Sequence, residues 1–254
     1  MNDLDSMLME KEEYEIMYRN EEEFWWYKGL QHLLYHYIKK YCTKDSLILD
    51  AGCGTGKNLE ILIKNGFNVK GIDISKDAIA FCNLRGLKDV KICSIDKIDY
   101  PSNYFNVIYC MDVLGILDID KRNNSIKEFK RILKKDGILI IQCAALEWLR
   151  SQHDDVVSIK KRFKRSEIIE LLENNGFKLI KCSYRVFFLF PIIALVKIIK
   201  KILKNKNGNA TSDQWMPPKL INSFLFFLQL LENYLFFIIN LPIGSSVFAI
   251  AIKK

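Results

Sequence analysis

Between Leu47 and Asn58 the chain reads LILDAGCGTGKN, an apolar run that closes on an acid and then opens through three alternating glycines into a helix-forming segment. Nothing else in the sequence constrains the fold as strongly. Glycine lacks the Cβ that would block close approach, so Gly52, Gly54 and Gly56 let bare backbone turn tightly against a ligand. The helix start beyond them offers unpaired N–H groups and the positive end of a peptide dipole. A strand, such a loop and a helix together cradle a nucleotide-like molecule. A dinucleotide-binding loop prefers G-x-G-x-x-G, and Lys57 stands where its third glycine belongs. Asp50, just before the loop, is a carboxylate suited to an ammonium and repelled by a pyrophosphate. Both departures disfavour an NAD-dependent oxidoreductase.

From Ser46 onward, short apolar runs alternate with amphipathic stretches, the signature of βαβ units and an α/β fold. The pattern predicts strands at 47–50, 69–73, 90–93, 107–110 and 138–143, with helices at 57–65, 76–84 and 126–133. Lys135-Asp136-Gly137 reads as a turn launching the fifth strand. A helix from Ser166 ends at Asn174-Asn175-Gly176, a strand follows at 177–185, and a last strand at 246–252 closes the sheet. Ahead of this core, residues 10–41 carry helical periodicity through Tyr14, Met17, Tyr18, Leu33, Leu34 and Tyr37. Between the last two strands lie two strongly apolar helical segments, separated by a polar loop at 205–213 and a Pro217-Pro218 stop. The organisation expected is a helical lid at 1–45, a core at 46–186, an apolar helical insertion at 187–243 and a completing strand at 244–254.

With 254 residues, one domain carrying an elaboration is the economical reading. No run of about 18 residues is free of polar interruption, which a spanning helix would require. The first 15 residues are acidic where an export signal would be basic and then apolar. A cytoplasmic protein is expected, with a peripheral place on the inner membrane face as a variant. The seven cysteines are odd in number and form no C-x-x-C pair, so buried thiols are expected and a metal site is not. The net charge of +8 suits an anionic partner, although a chain crowded with Lys, Ile and Asn owes part of it to codon usage.

Seventeen residues after Gly56 stands Asp73, in GIDIS, at the end of the next predicted strand. An acid there accepts hydrogen bonds from ribose hydroxyls; the alternative is that it only caps the helix beginning near Lys76. Residues 46–143, with ILDAGCGTG, GIDIS, PSNYFNVIYCMDVL and RILKKDGILIIQ, resemble the class I S-adenosylmethionine-dependent methyltransferases. That resemblance implies a Rossmann-like sheet of seven mostly parallel strands, ordered 3-2-1-4-5-7-6 and flanked by helices. It implies S-adenosylmethionine as cofactor and S-adenosylhomocysteine as product. Gly52, Cys53, Gly54 and Gly56 would back the methionine portion, with Asp50 near its amino group and Cys110 close by. Asp73 would hold the ribose, Ile74 would pack on the adenine, and Ser94 and Ile95 would lie at the adenine edge.

Methyl transfer is an in-line displacement, so the protein chiefly aligns the acceptor and, for a hydroxyl, removes a proton. Many small-molecule members carry D-V-L-E-H after the fourth strand, whereas this chain reads Asp112-Val113-Leu114-Gly115-Ile116 and retains only Asp112 of the polar set. The segment from Trp148 through His153-Asp154 to Lys160, Lys161 and Arg162 resembles a subfamily loop in which a tryptophan precedes His-Asp and a basic run, which makes His153 the acceptor-side candidate. The basic run at 160–165 otherwise reads as a solvated loop. The same subfamily begins with an acidic and aromatic element like Glu21-Glu22-Glu23-Phe24-Trp25-Trp26-Tyr27. Its tryptophans, Trp26 among them, form either a lid over a sulfonium or ordinary helix packing.

Residues 191–206 set Lys197, Lys200, Lys201 and Lys204 along one face and Ile192, Leu195, Ile199 and Ile202 on another, the pattern of an interfacial membrane element. The next apolar segment carries Asn222, Gln229, Glu232 and Asn233, which make it a poor membrane span. A hairpin covering the sheet, or an oligomer face, is the alternative; nucleic acid is disfavoured. The reading is therefore methyl transfer to a small or lipid-like acceptor. Its rival is a cofactor-binding but catalytically silent scaffold or regulatory partner, suggested by the missing Glu and His after Leu114.

Overall fold

The computed structural model describes residues 9–202 and 216–254. Seven strands form one sheet: β1 (Leu47–Ala51), β2 (Asn68–Asp73), β3 (Val90–Ile92), β4 (Phe105–Met111), β5 (Leu133–Ala144), β6 (Phe177–Arg185) and β7 (Ser246–Lys253), in the order β3-β2-β1-β4-β5-β7-β6. β1 to β5 pair in parallel, while β7 runs antiparallel to both β5 and β6. This is the expected Rossmann-like order. Residues 138–143, ILIIQC, are buried on both faces, as a central parallel strand requires, which explains the unbroken apolar run.

Around the sheet stand α1 (Lys11–Glu23), α2 (Trp25–Tyr41), α3 (Lys57–Lys64), α4 (Lys76–Leu84), α5 (Ile119–Ile132), α6 (Gln152–Val156), α7 (Arg165–Asn174), α8 (Phe190–Ile202) and α9 (Lys219–Ile238). The segment expected at 10–41 breaks into two helices at Phe24, whose ψ of 126° is extended. α2 and α9 pack on each other and join the sheet in one apolar cluster containing Leu33, Tyr37, Ile48, Phe236 and Phe248.

Two elements differ from the sequence reading. α5 begins at Ile119, seven residues ahead of its expected start, because its first turn exposes Ile119 and so carries no apolar periodicity. The turn expected at 135–137 lies inside β5: Leu133 pairs with Phe105 before the register shifts to Ile138 opposite Val107. Asp136, at φ 60°, absorbs that irregularity as a bulge. The expected polar loop at 205–213 lies outside the described residues.

In register, Asp50 sits between Gly71 and Tyr109, and Gly71 lies two residues before Asp73. The parallel strands thus end together and deliver Asp50, Asp73 and Asp112 to one edge, the carboxyl edge where α/β sheets hold ligands.

Candidate active site

The loop after β1 is bound to β2 by two hydrogen bonds, from the Gly52 and Cys53 N–H groups to the Ile72 carbonyl, at 2.8 and 2.9 Å. Gly52 has φ +82°, and a Cβ there would meet Val113 Cγ2 at 2.3 Å, so only glycine fits. Asp73 accepts from the Gly54 N–H through Oδ2 and from the Ser75 N–H through Oδ1, each at 2.9 Å. Burial raises its pKa and these two bonds oppose the rise. Ser75, not Asp73, caps α4, its hydroxyl accepting from the Ala78 N–H at 3.2 Å. Asp73 is left to face the cavity.

That cavity holds about 380 Å³ and runs from the glycine loop to α2, α6 and α8. Asp50 lines it, and its Oδ2 is buried with no hydrogen-bond partner among the described residues. Burial, followed by the nearby Asp73 and Glu21 carboxylates, pushes the Asp50 pKa well above the usual range. Gly52, Cys53, Gly54, Asp73, Ile74, Ser94, Ile95 and Trp26 also line the cavity.

Two of the expected cofactor contacts do not reach it. Gly56 is the N-cap of α3, and a Cβ there would strike Leu87 Cδ1 at 2.5 Å and Cys82 Sγ at 2.8 Å; its bareness serves packing against α4. Cys110 is fully buried within β4, facing the apolar core beside Ala51 and Cys143.

On the far side, His153 lines the cavity from α6, a short helix held by a capping box in which the Ser151 N–H donates to Asp154 Oδ2 at 2.7 Å. The buried Asp154 pairs with Arg162 at 2.8 Å, and Arg162 also donates to the Ala145 carbonyl at 3.0 Å. The expectation of a solvated basic loop is corrected at this residue: Arg162 is buried and lines the cavity. Its identity was legible, but its partner eight residues upstream was not. Asp112 also lines the cavity, in the left-handed region at φ 60°. It accepts from Gln142 Nε2 at 2.6 Å, and its own N–H donates to the Gln142 carbonyl at 2.8 Å.

The N-terminal element closes the near wall with Met17, Glu21, Phe24, Trp25 and Tyr27. Glu21 was not foreseen as a functional residue. It accepts from the Thr55 hydroxyl of the glycine loop and from Arg85 Nη2 at 3.3 Å, while Arg85 Nη1 reaches Glu22 at 2.6 Å. The acidic run was visible in the sequence, but nothing there pointed to Arg85. Burial pushes the Glu21 carboxyl up from 4.5 to about 7, with the Thr55 bond and Arg85 opposing.

A carboxyl whose pKa rises on folding binds its proton more tightly in the folded state. Its contribution to stability is therefore full below the unfolded pKa of 4.5 and declines until about pH 7. Glu21→Gln, which cannot ionise, is expected to gain melting temperature relative to the parent as pH rises from about 5 to about 8. A difference independent of pH in scanning calorimetry would overturn this.

The comparisons with known proteins bear on the same core. Residues 49–141 match a family model described as a methyltransferase domain. An uncharacterized protein of Methanocaldococcus jannaschii is 32% identical over 187 residues, covering 66% of this chain and 78% of that relative. A ubiquinone/menaquinone biosynthesis C-methyltransferase of Campylobacter jejuni is 27% identical over 152 residues, 57% of this chain; the match spans 61% of the relative's length. A crystal structure of an S-adenosylmethionine-dependent methyltransferase from Archaeoglobus fulgidus shares the fold, with a TM-score of 0.59 at 20% identity over 88% of this chain and 93% of that one.

Proposed function

Because the chain belongs to the class I S-adenosylmethionine-dependent methyltransferases, we propose that it transfers the cofactor's methyl group to a small, lipid-like acceptor held between α2, α6 and α8. The observation that carries this is the continuity of the cavity. One space joins the carboxyl edge of the sheet to walls made by Trp26, Leu30, Ile116, Val157, Ile159 and Ile193.

The near half fits the cofactor on its own chemistry. The unpartnered Asp50 oxygen matches an ammonium, the backbone of Gly52 and Gly54 lines the cavity beside it, and Asp73 retains acceptor capacity for ribose hydroxyls. When bound, S-adenosylmethionine supplies an electrophilic methyl on a sulfonium. The remaining work belongs to the chain. The aromatic N-terminal wall keeps water from the reacting centre, the far walls align the acceptor, and His153 takes the proton that a hydroxyl acceptor must lose. Asp112, pinned by Gln142, positions the turn after β4 rather than swinging toward a ligand. The Campylobacter relative is named a ubiquinone/menaquinone biosynthesis C-methyltransferase, which supports a lipid-like acceptor for this chain.

The test is incubation with methyl-tritiated cofactor and a cell extract, followed by solvent partition. Label is expected in the organic phase. His153→Ala is expected to reduce that transfer by about a hundredfold while leaving S-adenosylhomocysteine affinity within about twofold. Label confined to protein or nucleic acid would refute the acceptor class, and transfer undiminished in His153→Ala would refute the role of the histidine.

A further inference from the structure

α9 is built inside out. Its polar residues Gln229, Glu232 and Asn233 are fully buried, and Asn222 faces inward with them. Asn222 accepts from the Trp25 N–H at 2.9 Å and donates to the Glu23 carbonyl at 2.7 Å. Gln229 accepts from Arg185 at 3.2 Å, Glu232 accepts from the Val186 and Phe188 N–H groups, and Asn233 donates to the Gly29 carbonyl at 2.9 Å. Every residue that argues against a membrane helix in the sequence is thus turned to the protein.

The solvent side is apolar. Leu220 is 86% and Ile238 79% exposed, with Ile221, Phe224, Phe227, Leu231 and Leu235 exposed between them. α8 repeats the arrangement: Ile193 and Lys197 line the cavity while Ile192, Leu195, Val196, Ile198 and Ile199 face out. A helix in water shows the opposite pattern, with its polar face outward. Apolar outside and polar inside is how a helix meets hydrocarbon.

Charge identifies what lies beyond that face. α8 carries no acid; Lys197 turns to the cavity, and the sequence after it holds four further lysines and no acidic residue as far as Ser212. Beside α9, Lys28 lies 4.6 Å from the Phe226 ring, Lys219 is exposed at the first turn, and Lys181 bonds the Ile239 carbonyl at 3.0 Å. Acid within α9 is confined to the buried Glu232.

We propose that the outward faces of α8 and α9 dock the protein peripherally on an anionic lipid bilayer, apolar side chains entering the interface and lysines meeting headgroup phosphates. α9 does not cross the bilayer, since its inner face is bonded to α2 and to the segment after β6. Both helices also meet the cavity: α8 forms part of its wall, and Asn222 holds Trp25, which lines it. Docking therefore sets the acceptor side of the cavity beside the membrane. The surface stands apart from methyl transfer and is tested separately.

The full chain is mixed with sucrose-loaded vesicles of phosphatidylcholine containing about one quarter phosphatidylglycerol and sedimented at low salt. The parent is expected to pellet, to pellet less on phosphatidylcholine alone, and to be released by an alkaline carbonate wash. The variant Leu220→Ser/Phe224→Ser/Phe227→Ser is expected to lose at least about tenfold in partition while binding S-adenosylhomocysteine like the parent. Calorimetry on that cofactor product separates a failed surface from a misfolded chain or a failed methyltransferase reading. Three results would overturn the proposal: a parent that stays in the supernatant, pelleting unchanged in the variant, or protein that resists the carbonate wash. A parent that stays soluble and forms a dimer dissolved by the same substitutions would assign the face to a second copy.

Discussion

Asp73→Ala is expected to weaken S-adenosylhomocysteine binding by at least about a hundredfold, measured by titration calorimetry. Hydrogen bonds to a charged group contribute about 1.5–3 kcal/mol each, and two ribose hydroxyls would lose theirs together. Asp73 sits at the end of β2 with one oxygen on the Gly54 N–H and the other on the Ser75 N–H, so its carboxylate is already oriented before any ligand arrives. Removing it also frees the glycine loop, which adds to the loss. Asp73→Asn retains one acceptor oxygen and should fall between parent and Ala. At the other end of the loop, Asp50→Asn keeps the shape while removing the charge opposite an ammonium. An Asp73→Ala affinity within about threefold of the parent, with a parent-like melting curve, would refute the ribose assignment.

Arg185→Met is expected to destabilise the protein by about 3–5 kcal/mol, because breaking one side of a buried ionic network leaves the other side uncompensated. For a chain of this size that corresponds to a melting temperature lower by roughly 10 °C. Arg185 is fully buried, bonded to Gln142 and, at 3.2 Å, to Gln229. Burial lowers its pKa, and the Glu232 and Asp112 carboxylates work against that. Glu232 has its pKa raised by burial, with Arg185 and the N–H groups of Phe188 and Val186 opposing. Without Arg185, the Glu232 charge would be buried without its counterion, and Gln142 would lose the group that steadies it against Asp112. The double variant Arg185→Met/Glu232→Gln should recover part of the loss, since it removes both charges. Loss below about 1 kcal/mol in thermal unfolding would show that the network carries little.

The glycine loop and Asp73 were legible because their meaning is local. Positive φ at Gly52 and the acid at a strand end are properties of a few consecutive residues, and strand–loop–helix chemistry repeats wherever those residues occur. Gly56 and Cys110 show the limit of that reading. Both lie beside the site in sequence, yet Gly56 is bare to admit Leu87 and Cys82, and Cys110 points from β4 into the apolar core. Strand alternation sends neighbouring side chains to opposite faces, and a motif does not say which face holds the ligand. Glu21 and Arg162 were unreadable as cavity residues for a related reason: each acquires its role from a partner brought up by folding, Arg85 for one and Asp154 for the other.

The amino-acid sequence by itself determined the α/β class, the position of the glycine loop that lines the cavity and the acid beyond it, since these follow from periodicity and backbone conformation over short spans. Tertiary structure alone decided which way each helix turns its polar residues. Asn222, Gln229, Glu232 and Asn233 mark α9 as poorly suited to lipid when read along the chain. Folding gives them the Glu23 carbonyl, Arg185, two backbone N–H groups and the Gly29 carbonyl as partners, and so leaves the apolar side facing out. A buried polar group must find a partner, and where that partner lies across the fold no local pattern can reveal it.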